Sequence, residues 1–318
     1  MQYVLEQKIA LFPDIGGECH ASTLVALPHG NFAAAWFQGT KEGKNDVAIY
    51  GSRCLDGVWS TPEVWAKVND LPHWNPVLFQ VNEQTLLLFF KVGTLCERWQ
   101  TWVQSSNDNG KTWSAARELV AGAANARGPA KNKPIRLADG SILAGNSLED
   151  NAKWRVLLDK STDECQTWHS SPEILQNHAP DDLGVIQPTI WESAPGKVHI
   201  LTRSSSHFIY RSDSDDFGTT WSPLYKTTLP SNNSGIDAAY SDGTLILAFN
   251  NTSGDWKVRT PLTLAKSTDN GATWQILCDL ENDAGEFSYP AIIPLGNGHF
   301  AGTYTNRRHT ITFFTLEI

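Results

Sequence analysis

At 318 residues, with a formal charge of −9 and a pI near 5.4, the chain can bury a large core but lacks the basic patches of nucleic-acid binders. No apolar run reaches the roughly 18 residues that a membrane-crossing helix needs, so neither nucleic acid nor a membrane is expected as a partner. The five cysteines (19, 54, 96, 165 and 278) are odd in number and form no Cys-x-x-Cys pair, which suggests reduced thiols in a cytoplasmic protein. Residues 1–8 lack a basic stretch followed by an apolar one and read as mature sequence.

Residues 3–11 predict a strand that precedes any repeat. The next segments, 20–25 and 32–37, predict a hairpin, and the motif Ser52-Arg53-Cys54-Leu55-Asp56-Gly57-Val58-Trp59 follows them. The same order recurs along the chain. Segments 75–79 and 86–90 lead to Ser106-Asn107-Asp108-Asn109-Gly110-Lys111-Thr112-Trp113, and segments 133–137 and 142–145 lead to a copy at 161–168 that has Cys165 in place of glycine. Segments 187–191 and 198–202 precede the copy at 214–221; 237–240 and 245–249 precede that at 267–274; 289–293 and 300–304 begin a sixth unit. The motif tryptophans fall at 59, 113, 168, 221 and 274, a spacing of 53 to 55 residues. Such a period marks an array of like supersecondary units.

The pattern Ser-x-Asp-x-Gly-x-Thr-Trp has the chemistry of a turn. Asp folds its carboxylate onto nearby backbone N–H groups, and Gly supplies a positive φ. The tryptophan then opens the next strand, with its indole expected beneath the turn. In each unit the second segment is strongly apolar and follows a turn such as Asp139-Gly140 or Asp242-Gly243. Dense short strands without helical periodicity suit four-stranded sheets arranged radially. The sixth unit ends at 310–317 after three strands, so the expected fourth is residues 3–11. The whole of 1–318 is thus expected to form one six-bladed β-propeller domain, its last blade closed by the N-terminal strand.

The motif copies, the six units and their lengths together resemble the sialidase (neuraminidase) superfamily, in particular its BNR-repeat branch, across essentially the whole chain. That resemblance implies a glycoside hydrolase acting on an acidic sugar held by arginines. Arg203, in Leu201-Thr202-Arg203-Ser204, and Arg259, in Arg259-Thr260-Pro261-Leu262, match the second and third carboxylate-binding arginines. Tyr289, in Phe287-Ser288-Tyr289-Pro290, matches the nucleophilic tyrosine. For the acid/base aspartate the loop before the third strand of blade one offers Glu42 or Asp46. Two departures stand out: the strand that would open with the first arginine reads Glu18-Cys19-His20-Ala21-Ser22, and the glutamate that would polarise the tyrosine is replaced by Gln187.

The residues alone lead to the same end of the molecule. In a propeller the starts of the innermost strands face one mouth of the central channel, and here they carry His20, Asn75 with His73 beside it, Lys133, Gln187, Asp237 and Tyr289. The ends of the second strands add Lys91, Asn146, Arg203, Asn250, Arg307 and Arg308. Cations concentrated on an acidic protein suggest an anionic ligand, because guanidinium binds carboxylate with two prongs. The expected partner is therefore an acidic carbohydrate. No zinc-spaced His/Cys cluster is present, and no cofactor is expected, while a structural cation in the channel and the oligomeric state stay open. Three functions are compatible: hydrolysis of a terminal acidic sugar, with Asp237 available to assist an attacking water; β-elimination on a uronic acid, with Tyr289, His20, His73 or Lys133 moving protons; and glycan binding without catalysis.

Overall fold

The computed structural model describes residues 3–10, 16–123, 125–150, 153–176, 184–256 and 258–318. Its described strands form six antiparallel sheets, five of them built from the centre outwards in sequence order. The innermost strands are Glu18–Leu27, His73–Gln80, Ile135–Arg136, Val185–Ala194, Asp237–Ser241 and Phe287–Gly296. The inner strands of blades four, five, six, one and two pack neighbour against neighbour, and blade three closes the ring through Ile142–Asp150, which packs on blades two and four; the architecture is a six-bladed β-propeller. Val4–Ala10 pairs antiparallel with Thr310–Glu317 and supplies the outer strand of the sixth blade; residue 11, the expected end of that strand, lies outside the described residues. Blade one carries a fifth strand because its outer edge is split into Val58–Trp59 and Glu63–Ala66, both paired with Ala48–Leu55. No helix among the described residues is long and apolar enough to cross a membrane.

The second strands are apolar on both faces because a neighbouring blade lies against each. Every residue of Leu86–Val92 is buried, and so is every residue of Leu262–Ser267, one strand further out in blade five. The core clusters accordingly run from blade to blade, as where Phe287, Ile292 and Phe314 of blade six pack with Leu262 and Leu264 of blade five. The turn motifs behave as their chemistry dictates. Asp108 accepts the Thr112 N–H at 2.8 Å and the Thr112 hydroxyl at 2.6 Å, while Ser106 Oγ accepts the Gly110 N–H at 2.8 Å. The same bonds recur from Asp163, Asp216 and Asp269. Two successive residues hold positive φ in each copy, Asn109 and Gly110 in the first, so Cys165 adopts a φ of 66° where its siblings have glycine. The indoles are less covered than expected: Trp168 is buried, whereas Trp59, Trp113, Trp221 and Trp274 are half-buried.

Four inner strands share a bulge near their start, with register shifts at His20/Thr23, Trp74/Val77, Ile186/Thr189 and Ser288/Ala291. The bulged residues Ala21, Asn75, Gln187 and Tyr289 all have positive φ, 57°, 39°, 56° and 50°. Bulges of this kind re-aim side chains beside functional sites. They also correct the expected equivalence in blade one, where Ala21, not His20, holds the position equivalent to Tyr289.

Candidate active site

Tyr289 is the hub of the mouth. Its hydroxyl accepts a 2.7 Å hydrogen bond from Arg203 Nη1, and its ring lies 5.3 Å from the Arg259 guanidinium carbon and 5.8 Å from that of Arg203. His20 packs on the ring at 4.2 Å between centroids. Gly235 lies against the other side: a Cβ there would sit 3.1 Å from Tyr289 Cγ. Lys131 Nζ is 5.9 Å from the same ring and donates to the Ile236 and Pro290 carbonyls. The structure thus brings Arg203, Arg259, Tyr289, His20 and Gln187 together.

Arg203 is 2% exposed. Its Nε donates to Asn233 Oδ1 at 3.0 Å, and Nη1 also donates to Gln187 Oε1 at 3.2 Å. Gln187 therefore serves the arginine and not the tyrosine. The half-buried Trp154 and exposed Trp256 flank the guanidinium at 5.5 and 5.7 Å. Among the described residues no carboxylate is paired with Arg203, and Nη2 has no hydrogen-bond partner. A buried guanidinium among neutral and aromatic groups is costly without a counter-ion.

Arg259 and Arg308 share one instead. Glu286 accepts from Arg259 Nη1 at 2.7 Å, from Arg308 Nε at 2.9 Å and from Ser288 Oγ at 3.0 Å. Burial pushes its carboxyl up, but the cations Arg259 and Arg308 outweigh that and hold it below the usual carboxylate range. Arg308 also donates through Nη1 to Glu42. His20 Nε2 faces Arg259 Nη1 at 3.4 Å, and its Nδ1 lies 3.9 Å from Glu286. Burial first, then Arg308, Arg259, Lys131 and Arg203, drive the imidazole well below its ordinary value, so it is neutral. Burial likewise lowers the Lys131 ammonium to about 7 against the pull of Asp237, with Lys133 and Arg203 pushing further down.

Several expected site residues stand elsewhere. Asp237, 1% exposed, is an axial brace: it binds Lys133 Nζ at 3.0 Å through both oxygens, Thr189 Oγ1 at 2.7 Å and the Ala238 and Ile292 N–H groups at 2.9 Å. With its lone pairs committed it has no capacity left for proton transfer, and Lys133 is spent on it. His73 uses both ring nitrogens on backbone of its own blade, Val68 N–H and Leu71 C=O. Asp46 sits in an exposed turn, held by the Thr40 N–H and hydroxyl, which keep its carboxyl low despite a small opposing effect of burial. Glu42 reaches the rim, but its carboxylate is committed to Arg308. Lys91 is buried against Thr101 Oγ1 and the Arg127 carbonyl. Asn75 bonds the Ala130 carbonyl, and Asn250 clasps the Pro261 and Phe287 carbonyls behind the Arg259 loop. Arg307 is half-exposed and faces Asp283 at 3.6 Å. Sequence reasoning missed Glu286, Lys131, Asn233, Trp154 and Trp256. The two tryptophans carried no distinguishing signal, since eight of the chain's 13 tryptophans lie outside the motif positions. Among the described residues no three His, Cys, Asp or Glu side chains gather as a metal site would require.

The model of the BNR repeat-like domain family matches residues 30–301. No curated protein matches the chain in sequence. Among solved structures, a Dyadobacter fermentans protein of unknown function superposes with a TM-score of 0.83 at 16% identity, covering 99% of both chains. The intramolecular trans-sialidase of Ruminococcus gnavus, complexed with oseltamivir carboxylate, superposes with a TM-score of 0.72 at 12% identity, covering 96% of this chain and 95% of its own. The α-L-arabinanase of Penicillium chrysogenum, complexed with arabinobiose, gives 0.71 at 16% identity, covering 99% and 98%. At these identities the likeness is one of fold, and that fold carries glycosidases.

Proposed function

The chain belongs to the BNR repeat-like domain family, and from that premise we propose that it is an exo-acting glycosidase that releases a terminal sugar bearing a carboxylate, a sialic acid or a relative. The observation that carries this reading is the buried Arg203 guanidinium without a carboxylate partner. Around Tyr289, three guanidinium charges on Arg203, Arg259 and Arg308 face two carboxylates, Glu42 and Glu286, while His20 is neutral. Among the described residues Arg203 has no carboxylate within ion-pair distance, and a monoanionic substrate carboxylate can supply one. Arg203 Nη2 keeps two uncommitted N–H donors for a carboxylate oxygen.

The tyrosine hydroxyl, 2.7 Å from the same guanidinium, then lies beside the carbon that bears the carboxylate, which in a sialic acid is the anomeric carbon. Positive charge develops there as the glycosidic bond breaks, and the phenol oxygen can stabilise or attack it; tyrosine is an established exception to the two-carboxylate scheme. Trp154 and Trp256 offer apolar faces to the pyranose beside Arg203. The second reading, β-elimination on a uronic acid, is favoured by one observation: among the described residues no carboxylate hydrogen-bonds the Tyr289 hydroxyl, which instead accepts from Arg203 while neutral His20 packs on the ring.

Incubation with a panel of α-sialosides and uronides separates these. Hydrolysis liberates the free acidic sugar without ultraviolet absorbance, whereas elimination creates a conjugated double bond that absorbs. Binding without either product identifies a glycan-binding module. If none of the acidic glycosides binds or turns over, the carboxylate reading is wrong.

A further inference from the structure

Neither carboxylate expected as an acid is free to act, since Glu42 is committed to Arg308 and Asp46 is tied into an exposed turn. A different carboxyl stands at the mouth. Glu149 lies near the end of Ile142–Asp150, the second strand of blade three, where the pairing with Lys153–Ser161 runs without a bulge. Two residues before it, and so on the same face, Ser147 Oγ receives the Gln187 N–H at 2.7 Å. Directly opposite it across the sheet is Trp154, and directly paired side chains share a face at close range. Trp154 in turn stacks on the Arg203 guanidinium at 5.5 Å. Gly184 makes room for that indole, because a Cβ there would lie 3.2 Å from the ring. Glu149 is thus directed toward Arg203 from the neighbouring blade. Among the described residues its carboxyl has no hydrogen-bond or ion-pair partner.

We propose that Glu149 is the proton donor to the departing glycosidic oxygen, a carboxyl supplied by blade three beside the strand start where Gln187 leaves blade four without one. This rests on the glycosidase reading above. In the first step the Glu149 O–H proton passes to the glycosidic oxygen as the C–O bond breaks and its electron pair stays on that oxygen. In the second, the resulting carboxylate takes a proton from water as the water oxygen bonds to the anomeric carbon, which restores the acid. The groups facing Glu149 are Arg203 of blade four, Lys91 of blade two and Cys96, whose Sγ lies 3.9 Å from the Glu149 carbonyl. Burial raises the carboxyl above its ordinary range, with Arg203 and Lys91 opposing. The protonated form therefore persists to higher pH than for a solvated glutamate, which suits an acid.

The test compares wild type with Glu149→Gln on two acidic glycosides of the same sugar, one with a 4-nitrophenyl leaving group and one with a sugar alcohol leaving group. General acid catalysis contributes about 100-fold or more, and an activated leaving group needs little of it. E149Q is expected to lose about 100-fold in kcat/KM on the unactivated substrate, to stay within about tenfold on the 4-nitrophenyl glycoside, and to lose the alkaline limb of its pH profile. The dissociation constant for the free acidic sugar, measured calorimetrically, is expected to be unchanged. Equal losses on both substrates, loss of sugar binding, or an alkaline limb unchanged in E149Q would each overturn the assignment of Glu149 alone. A wild type inert on both substrates refutes the glycosidase reading, and this proposal with it.

Discussion

Replacing Glu286 by Gln removes the one carboxylate that Arg259 and Arg308 share while keeping the side chain's shape and one acceptor. The pairs lie at 2.7 and 2.9 Å. A pair at ~4 Å is worth about 4 kcal/mol at an effective dielectric near 20, but Glu286 is 29% exposed and Arg259 14%. Removing one partner costs about 3–5 kcal/mol in a fully buried pair and under about 1 at the surface, so about 2 kcal/mol of stability is expected to go. Ligand affinity moves the other way. With the internal carboxylate neutral, one more guanidinium charge faces the sugar, and binding of a free acidic monosaccharide tightens by about tenfold, roughly 1.4 kcal/mol, at low salt. Urea unfolding reads the first effect and titration calorimetry the second, and high salt erases most of the gain because the mouth is partly open to screening. If E286Q binds the acidic sugar more weakly, in step with its lost stability, then Glu286 builds the arginine geometry and does not compete with ligand, and the charge argument fails.

Tyr289→Phe keeps the ring packed on His20 and beneath Arg259 and deletes only the hydroxyl bonded to Arg203; sugar affinity should change by less than about fivefold while turnover falls by about 100-fold or more, and wild-type turnover would remove Tyr289 from the chemistry. Asp237→Asn is expected to be a folding defect, costing about 3–5 kcal/mol because Lys133 is left buried and uncompensated; a stable, well-folded D237N with impaired turnover would reinstate the aspartate in the site. Acid should weaken the fold in two stages. Burial lowers His73 to about 4, despite the Leu71 carbonyl, so the unfolded chain takes up its proton first, near 6.5, and stability declines from there down to about pH 4 by up to ~3 kcal/mol; His73→Gln should flatten that slope in unfolding midpoints measured against pH. The motif carboxylates Asp108, Asp163 and Asp269, held near 2 chiefly by their threonine hydroxyls, add stability above about pH 4 that is lost as pH falls through 2.

The architecture was legible because it is written several times: an Asp-to-Thr turn with a following tryptophan has one local solution, and its spacing counts the blades. Arg203, Arg259 and Tyr289 were legible because each holds a recognisable place within its repeat. The rest of the mouth was not. Alternation tells which side chains share a face only while the ladder is regular, and the bulges at the starts of four inner strands break it where the site lies. A polar residue at such a start can turn to the mouth, as Tyr289 does, or across the axis, as Asp237 does to clamp Lys133, Thr189 and Ile292. Glu286 and Glu149 lie at strand edges in ordinary acidic contexts, and only the packing of neighbouring blades shows that one sits between two arginines and the other beside Trp154.

Pairing Val4 with Glu317 has a bearing on how the molecule is made. Five blades can mature in turn as the nascent chain leaves the ribosome, each from contiguous sequence, but the sixth has to wait until Thr310–Glu317 has been made. Until then the first strand has no neighbour, and a released chain at high concentration can accept that of a second copy. Swapped dimers are therefore the expected by-product of crowded refolding, and slow dilution the condition that suppresses them.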